Sequence, residues 1–289
     1  MWKLEVPDKA DAIKHLDIGL NIGPGLIPTY ALSGGERVRI SSIYRSYDRR
    51  LGRAATNLEG PGVSVGLKQA LHDAYDLVQD GRRLKDLRAS IKLRAQLCPY
   101  CGFGPIQEID HHLPKTHYKL LAIYIRNLVP ICATCNRKKS ANVGAHMDSQ
   151  FLNVYLERIP QEIFLVANVT LNAVSGALTV IFYIVRSASM SKVLHKRLIS
   201  QMMALGLNDR YAAPVNQLLS EHEVALETAY GADNNSARVR RFLEMTVMAY
   251  EKRFGLNDWR TALMRAISAH GGFCAGAFRT ALGKPQPGA

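Results

Sequence analysis

Apolar residues recur three and four positions apart over residues 65–97, which is the spacing of one helix face. Asp80-Gly81 interrupts this pattern, so the segment predicts two helices, the second of which leads directly to Cys98. Similar spacing predicts a helix over residues 151–159 and four helical stretches between about residues 188 and 270. Gly-Pro and Gly-Gly pairs recur within residues 1–60, and this pattern predicts loops and short strands there.

Residues 163–185 contain no charged side chain and are long enough to cross a membrane as a helix. Polar residues break the stretch into two runs rich in β-branched and aromatic residues, FLVANVTL and ALTVIFYIV. The segment Asn-Ala-Val-Ser-Gly between them has the composition of a turn. This pattern predicts a buried β-hairpin in preference to a transmembrane helix.

The charge of the chain indicates a polyanionic partner. The 289 residues are 47% hydrophobic, as expected for a folded protein, and carry 37 Lys and Arg against 24 Asp and Glu, a net charge of +13. No acidic residue lies between Asp110 and Asp148, whereas that segment contains six basic residues. A carboxylate in such surroundings suits a bound phosphate, and nucleic acid is the partner that this balance favours.

The chain begins with MWKLEVPDKADAIKH, which lacks the apolar core of a secretory signal. The five cysteines are too few for a disulfide scaffold and are odd in number, which indicates a reducing compartment. We therefore expect a cytoplasmic protein.

Four of the five cysteines form two CxxC pairs separated by 30 residues, Cys98-Pro-Tyr-Cys101 and Cys132-Ala-Thr-Cys135. Each short loop can direct two thiolates to one point, and four thiolates make a closed tetrahedral zinc site of the structural kind. The alternative is a pair of redox-active dithiols, but neither pair lies between a strand and a helix of a thioredoxin-like unit. The fifth cysteine, Cys274, is expected to be a small buried apolar residue.

Between the cysteine pairs lies Glu108-Ile-Asp-His-His-Leu-Pro-Lys115, which predicts a strand or tight hairpin. A carboxylate such as that of Asp110 is the kind of ligand that Mg²⁺ needs from a protein, and a neutral imidazole beside it can take a proton from water near pH 7. Neighbouring strand residues point to opposite faces, so Asp110 and His111 share one site only where the backbone turns.

The segments CPYCG, EIDHHLPK and RNLVPICATCNRKK resemble, in order and spacing, the motifs of the HNH or ββα-metal endonucleases. The resemblance covers about 45 of the 289 residues. The segments DHHLPK and NLVPICATCN are also similar to HNH subunits of anti-phage systems such as Septu, which act beside an ATPase.

The resemblance implies a role for each matching residue. His111 is expected to be the general base that activates water for attack on the scissile phosphate, and Asp110 a ligand of Mg²⁺ or Mn²⁺. Asn127 is expected to brace the loop that orients His111. Asn136 stands where many members have the last metal-binding histidine, and its amide oxygen suits a hard cation. His112 stays open as an alternative base.

Basic residues predict two surfaces for nucleic acid. Six arginines lie within residues 37–53, interleaved with Tyr44 and Tyr47, which favours phosphate contact and base stacking. The alternative is a solvated helix face balanced by Glu36 and Asp48. The residues predicted to contact nucleic acid are Arg37, Arg39, Arg45, Arg49, Arg50, Arg137, Lys138 and Lys139.

These observations predict an α+β fold with three regions. A basic N-terminal region covers 1–90, the small ββα-metal core with its zinc site covers 91–148, and a β-hairpin with helices covers 149–289. The predicted function is a Mg²⁺-dependent HNH endonuclease that hydrolyses DNA in anti-phage defence or restriction. Two alternatives stay open: a non-catalytic zinc module that binds nucleic acid, and a nuclease subunit that requires an ATPase or sensor. RNA as substrate and an oligomeric state also stay open.

Overall fold

The structure is a computed structural model that describes residues 3–172 and 174–283. The chain forms two compact units, residues 1–159 and residues 160–289. Both contain helices and small antiparallel sheets, as the predicted α+β class requires. Within the described ranges, no helix is both long enough and apolar enough to cross a membrane.

The first unit begins with two helices, α1 (Ala10–Gly19) and α2 (Gly34–Arg49). The prediction of loops and short strands over residues 1–60 was therefore wrong. The Ser33 side chain accepts a hydrogen bond from the Glu36 backbone N–H, and the Glu36 carboxylate accepts one from the Ser33 N–H. This capping box starts α2 in spite of the glycine pair in its first turn.

The helices predicted over residues 65–97 are confirmed. They are α3 (Val65–Ala74), which continues as a 3₁₀ turn over Tyr75–Val78, and α4 (Lys85–Lys92). Leu67, Leu71, Leu87 and Ile91 are fully buried or nearly so, as their helical spacing predicts.

A small ββα motif follows the first cysteine pair. Strand β1 (Glu108–His111) pairs antiparallel with β2 (Leu128–Ile131), with Asp110 opposite Val129. Helix α5 (Ala133–Lys139) follows β2 and contains the second cysteine pair in its N-cap and first turn. One hydrophobic core joins this motif to the preceding helices, from Leu16 and Ile40 to Ile109 and Leu128. Residues 1–90 and the motif thus share a single core.

Residues 151–159 are not helical, which contradicts the prediction for this segment. Asn153 provides the reason, because its side-chain oxygen accepts hydrogen bonds from the backbone N–H groups of Tyr155 (3.0 Å) and Leu156 (3.1 Å). Such a local turn competes with helix formation.

The second unit begins with the predicted hairpin, formed by β3 (Leu165–Leu171) and β4 (Leu178–Ile184). Its strands alternate between buried and exposed residues, so the hairpin is buried on one face and not on both. Val169 and Phe182 are buried, whereas Ile181 is 52% exposed. Ala173, within the predicted turn, lies outside the described residues.

Seven α-helices complete the described part of the second unit, more than the four predicted stretches. Helix α11 packs against β3, and α6 and α7 pack against β4. The helices are α6 (Lys192–Ala204), α7 (Leu207–Ala212), α8 (Val215–Ser220), α9 (Glu223–Tyr230), α10 (Ser236–Phe254), α11 (Trp259–Ala269) and α12 (Phe278–Ala281).

Candidate active site and zinc site

The four paired cysteines converge, and all are buried. Their sulfur atoms lie within 4.8 Å of one another, and the Sγ atoms of Cys101 and Cys132 are 3.9 Å apart. Four sulfur ligands at about 2.3 Å from a tetrahedral zinc ion lie about 3.8 Å from each other. The cluster therefore fits a structural zinc ion.

Backbone geometry around the cysteines also fits a bound ion. The N–H groups of Gly104 and Cys135 point to the sulfur atoms of Cys101 (3.3 Å) and Cys132 (3.4 Å). A Cβ atom on Gly104 would lie 2.8 Å from the Cβ and Sγ atoms of Cys132, so the backbone approaches the cluster closely only because residue 104 is a glycine. Cys274 is buried, as its sequence context predicts, and is not one of the four clustered cysteines.

Alternation along β1 directs two carboxylates toward α5. Glu108 accepts a hydrogen bond of 2.5 Å from the Asn136 amide, and Asp110 lies 2.7 Å from the Lys139 ammonium group. Asn136 and Lys139 are three residues apart in α5 and therefore lie on the same helix face. Glu108, Asp110 and Asn136 each carry an oxygen atom, the type of ligand that a hard divalent cation prefers.

Lys139 is the central contact of this face. Its side chain is fully buried, and its ammonium group also donates a 2.8 Å hydrogen bond to the backbone oxygen of His111. Burial raises the pKa of Asp110, while the charge and the hydrogen bond of Lys139 act in the opposite direction. The pair fastens α5 to the end of β1.

His111 points to the other face of the strand. Its Nε2 atom lies 2.9 Å from the carbonyl oxygen of Ala122, and its ring lies 4.3 Å from the ring of Tyr75. Burial lowers the pKa of His111 to about 3, so the imidazole is neutral near pH 7. A carbonyl can only accept, so Nε2 carries the proton and Nδ1 carries the lone pair. Nδ1 makes no hydrogen bond to any described residue.

Asn127 holds the loop that provides the Ala122 carbonyl. Its side-chain oxygen accepts a 2.8 Å hydrogen bond from the Leu113 N–H, and its amide donates to the carbonyls of Leu113 (3.0 Å) and Leu121 (3.1 Å). Asn127 is fully buried, and Tyr47 of α2 also donates to it. The loop conformation next to Ala122 is thus fixed from both sides.

Residues 98–142 match the family model described as HNH endonuclease, and this range contains both cysteine pairs and the complete ββα motif. This segment is an HNH endonuclease domain. No curated protein and no solved structure is a significant match for the chain. The HNH domain accounts for a minor part of the sequence, and residues 160–289 lie outside it.

The structure places the predicted site residues on two sides of β1 in the HNH domain. Asp110 and Asn136 lie on the side of α5, and His111 lies on the side of Tyr75. His112 is 3% exposed, and its backbone N–H donates to the backbone carbonyl oxygen of Asn127. Asp110 and His111 are both paired residues of β1, and the backbone bends only after them, at His112. The two side chains therefore lie on opposite faces of the strand.

Two residues near the site were missed by sequence analysis. Glu108 precedes Asp110 by two residues, and strand alternation was the signal that could have placed both on one face. Tyr75 gave no such signal, because it reaches His111 from a segment 36 positions earlier. Its hydroxyl donates a 2.9 Å hydrogen bond to the Ile109 carbonyl, and burial raises its pKa to about 12.

The predicted basic surfaces are smaller than the sequence indicates. Lys139 is buried against Asp110, so it is not part of the exposed surface of the HNH domain, unlike Arg137 and Lys138. Arg126 is also buried and pairs with Asp48 at 2.6 Å. These two charges are already neutralised within the protein.

The arginines of α2 differ in their surroundings. Arg37 pairs with Asp17 at 2.6 Å, whereas Arg39, Arg45, Arg49 and Arg50 are exposed. The interleaved Tyr44 and Tyr47 are buried, at 5% and 0% exposure, so the prediction that they stack on bases was wrong. Both pack against Tyr124, with the Tyr44 ring stacked at 4.0 Å. Spacing on the helix explains this, because residues 40, 43, 44 and 47 form the apolar face of α2.

Proposed function

We propose that this protein is a divalent-metal-dependent endonuclease that hydrolyses phosphodiester bonds of DNA at the HNH domain. The observation that carries the proposal is the fixed orientation of His111, whose Nε2 is held by the Ala122 carbonyl while Nδ1 keeps its lone pair. A neutral imidazole with a lone pair on Nδ1 is able to accept a proton from water. Its lowered pKa of about 3 makes it a weaker base than a solvent-exposed histidine.

His111 acts in the proposed reaction as the proton acceptor. A water molecule attacks the phosphorus atom, and its proton moves to Nδ1 of His111. The bond from phosphorus to the bridging oxygen breaks, and that oxygen leaves with the electron pair and takes a proton from solvent water. Asn127 maintains the direction of the imidazole by holding Leu121, the neighbour of Ala122. The zinc cluster keeps the two ends of the domain together.

Asp110 and Asn136 are the residues that we assign to a catalytic Mg²⁺ or Mn²⁺ ion, with Glu108 as a neighbouring oxygen donor. When bound, such an ion supplies stabilisation of the negative charge that develops on the phosphate oxygens. Asp110 is also paired with Lys139, which balances the carboxylate charge.

A partner-dependent nuclease is the second candidate, and one observation favours it. His111 is 7% exposed, and the Tyr75 ring covers one side of its imidazole. Access of substrate to the base then depends on movement of the segment that carries Tyr75. A nuclease that is silent alone and active beside an ATPase or sensor has this property.

Plasmid cleavage tests both candidates. The zinc-loaded full chain is incubated with supercoiled DNA and Mg²⁺ or Mn²⁺, and nicked and linear products are measured for the wild type, His111→Ala and His117→Ala. His117 lies in the same domain and is exposed, so it provides the matched histidine control. We expect cleavage by the wild type and His117→Ala and its loss in His111→Ala, with equal zinc content in all three.

The outcomes separate the candidates. Equal cleavage by His111→Ala and the wild type would contradict the assignment of the base. A wild type that cuts only after its genomic neighbour is added would favour the partner-dependent nuclease. Binding of DNA without cleavage under both conditions would favour the non-catalytic zinc module.

The proposal extends to a cytoplasmic role in anti-phage defence or restriction. Its support is the similarity of DHHLPK and NLVPICATCN to HNH subunits of such systems. Phage plating on bacteria that express the chain with its neighbouring gene tests it, with His111→Ala as control. Equal plating on both strains would contradict the defence role.

A further inference from the structure

A polar groove lies on the first unit, away from the zinc cluster. It has a volume of about 270 Å³ and is formed by one face of α2 together with the turn that follows the 3₁₀ segment Thr56–Glu59. Its α2 lining residues recur at intervals of three and four, as expected for one helix face. The lining residues are Arg39, Ser42, Ile43, Ser46, Arg49, Asn57, Gly60 and Pro61.

The groove is positively charged. Arg39 and Arg49 are exposed, and neither forms an ion pair with any residue in the described part of the chain. No carboxylate lines the groove. Two carboxylates adjoin lining residues in sequence, Asp48 beside Arg49 and Glu59 beside Gly60. Asp48 is paired with Arg126 at 2.6 Å, and Glu59 is not among the lining residues. Two cationic side chains thus face one concave surface without a counter-charge.

Neutral donors complete the lining. Ser42, Ser46 and Asn57 provide two hydroxyl groups and an amide, and the Asn57 amide is fixed by a 2.8 Å hydrogen bond to the Ser46 hydroxyl. Arg39 is held at the rim by a 2.5 Å hydrogen bond to the Pro61 carbonyl, which leaves other guanidinium N–H groups available. Guanidinium, hydroxyl and amide donors are the groups that contact phosphate oxygens in nucleic-acid complexes.

The spacing of the two arginines fits a polyanion better than a single ion. They are ten residues apart in α2, which places their Cα atoms about 15 Å apart along the helix axis. Phosphates of one DNA strand follow each other at about 3.4 Å along the duplex axis. Each arginine therefore reaches a different phosphate.

The groove is packed against the loop that orients the candidate base. Gly60 of its wall lies so close to Leu120 that a Cβ atom on Gly60 would overlap the Leu120 side chain. Leu120 precedes Leu121 and Ala122, whose carbonyls accept from Asn127 and His111. Both the groove and this loop belong to the same unit.

We infer that this groove binds backbone phosphates of the nucleic-acid substrate through Arg39 and Arg49, and so anchors the polynucleotide next to the HNH loop. The inference rests on the proposed function, because the bound polynucleotide is the substrate of that site. Of the arginines that the sequence predicts as nucleic-acid contacts, the inference selects the two that share a concave surface.

The salt dependence of DNA binding tests this inference. A fluorescent 30-base-pair duplex is titrated with the zinc-loaded full chain at several KCl concentrations, without divalent cation or chelator. Each phosphate contact contributes about 0.9 to the slope of log K against log [KCl]. We expect the slope to fall by about 0.9 in Arg39→Gln and in Arg49→Gln, and by about 1.8 in the double variant. Lys14→Gln, which removes an exposed charge from α1, is expected to keep the wild-type slope.

A second pair of variants introduces a negative charge instead of removing a positive one. Ser42→Glu places a carboxylate in the groove, whereas Ser41→Glu places it on the adjacent position outside the lining. We expect Ser42→Glu to weaken binding at least tenfold and Ser41→Glu to have a smaller effect, with circular dichroism and zinc content unchanged in both.

Two results would contradict phosphate binding in the groove. The first is a wild-type slope in both Arg39→Gln and Arg49→Gln, and the second is a slope that falls equally in Arg45→Gln and Arg49→Gln. Cleavage is measured separately. If the protein cuts DNA but binds it independently of Arg39 and Arg49, the groove is not the binding site and the proposed nuclease activity stands. If the protein binds DNA through these arginines and never cuts it, the proposed nuclease activity fails and phosphate binding by the groove stands.

Discussion

The ammonium group of Lys139 lies 2.7 Å from the Asp110 carboxylate and 2.8 Å from the His111 carbonyl oxygen, and the lysine side chain is fully buried. One residue of α5 thus contacts both residues of the Asp-His motif. It holds the helix on the strand and balances the carboxylate that we assign to the catalytic cation.

Replacing Lys139 by Met is expected to lower the free energy of unfolding by about 3–5 kcal/mol, because it leaves the largely buried Asp110 without its partner. Urea denaturation of the zinc-loaded protein measures the change. The double variant Asp110→Leu with Lys139→Met should lose less than Lys139→Met alone. A double variant that is less stable than Lys139→Met would contradict a coupled pair.

Asn127→Ala is expected to reduce cleavage about 100-fold, because a small displacement of the loop misdirects the imidazole of His111. It also leaves the buried Leu113 N–H without its acceptor, a loss of about 1–3 kcal/mol in stability. The matched control is Asn142→Ala, an exposed asparagine of the same domain. Parallel rate assays of both variants at full zinc occupancy provide the measurement; equal rates would argue against a bracing role for Asn127.

The stability of the protein should depend on pH through His111. Burial lowers its pKa from 6.5 to about 3, so below pH 6.5 the unfolded chain takes up a proton that the folded chain does not. Folding stability is therefore fully present above pH 6.5 and decreases as the pH falls toward 3. At pH 5 the loss from this group is about 2 kcal/mol relative to pH 7.5.

Urea midpoints of the wild type and His111→Gln at pH 7.5 and pH 5 measure this contribution. Both proteins contain the same four-cysteine site, so acid effects on zinc binding cancel in the comparison. The wild type should lose about 2 kcal/mol more than the variant between the two pH values. An identical loss in both would show that the imidazole is protonated in the folded protein.

Gly104→Ala should impair zinc binding although it changes no ligand. The added methyl group would lie 2.8 Å from Cys132 Sγ and 3.3 Å from Cys101 Sγ, so the loop must move away from the cluster. We expect lower zinc content and a lower melting temperature. Gly34→Ala, at a glycine with no neighbouring atom within 4 Å, serves as the control. Full zinc content in Gly104→Ala would contradict the close packing of this loop.

Several features of the chain follow from local sequence. The CxxC pairs bring four thiolates together, the helices over residues 65–97 follow the apolar spacing, and the uncharged runs form the hairpin β3–β4. In each case the determining interaction acts between residues close in the chain, or between ligands with a fixed chemical preference. The EIDHH segment likewise determined the alternation of more exposed and buried side chains along β1.

Tertiary structure decided which polar residues are available. The sequence presents Arg126, Lys139 and the tyrosines of α2 as surface groups, but long-range packing buries them against Asp48, Asp110 and Tyr124. It also brings Tyr75 onto His111. A local pattern specifies residue chemistry and periodicity, whereas burial depends on partners far away in the chain, and burial sets both the pKa of His111 and the charge left for a substrate.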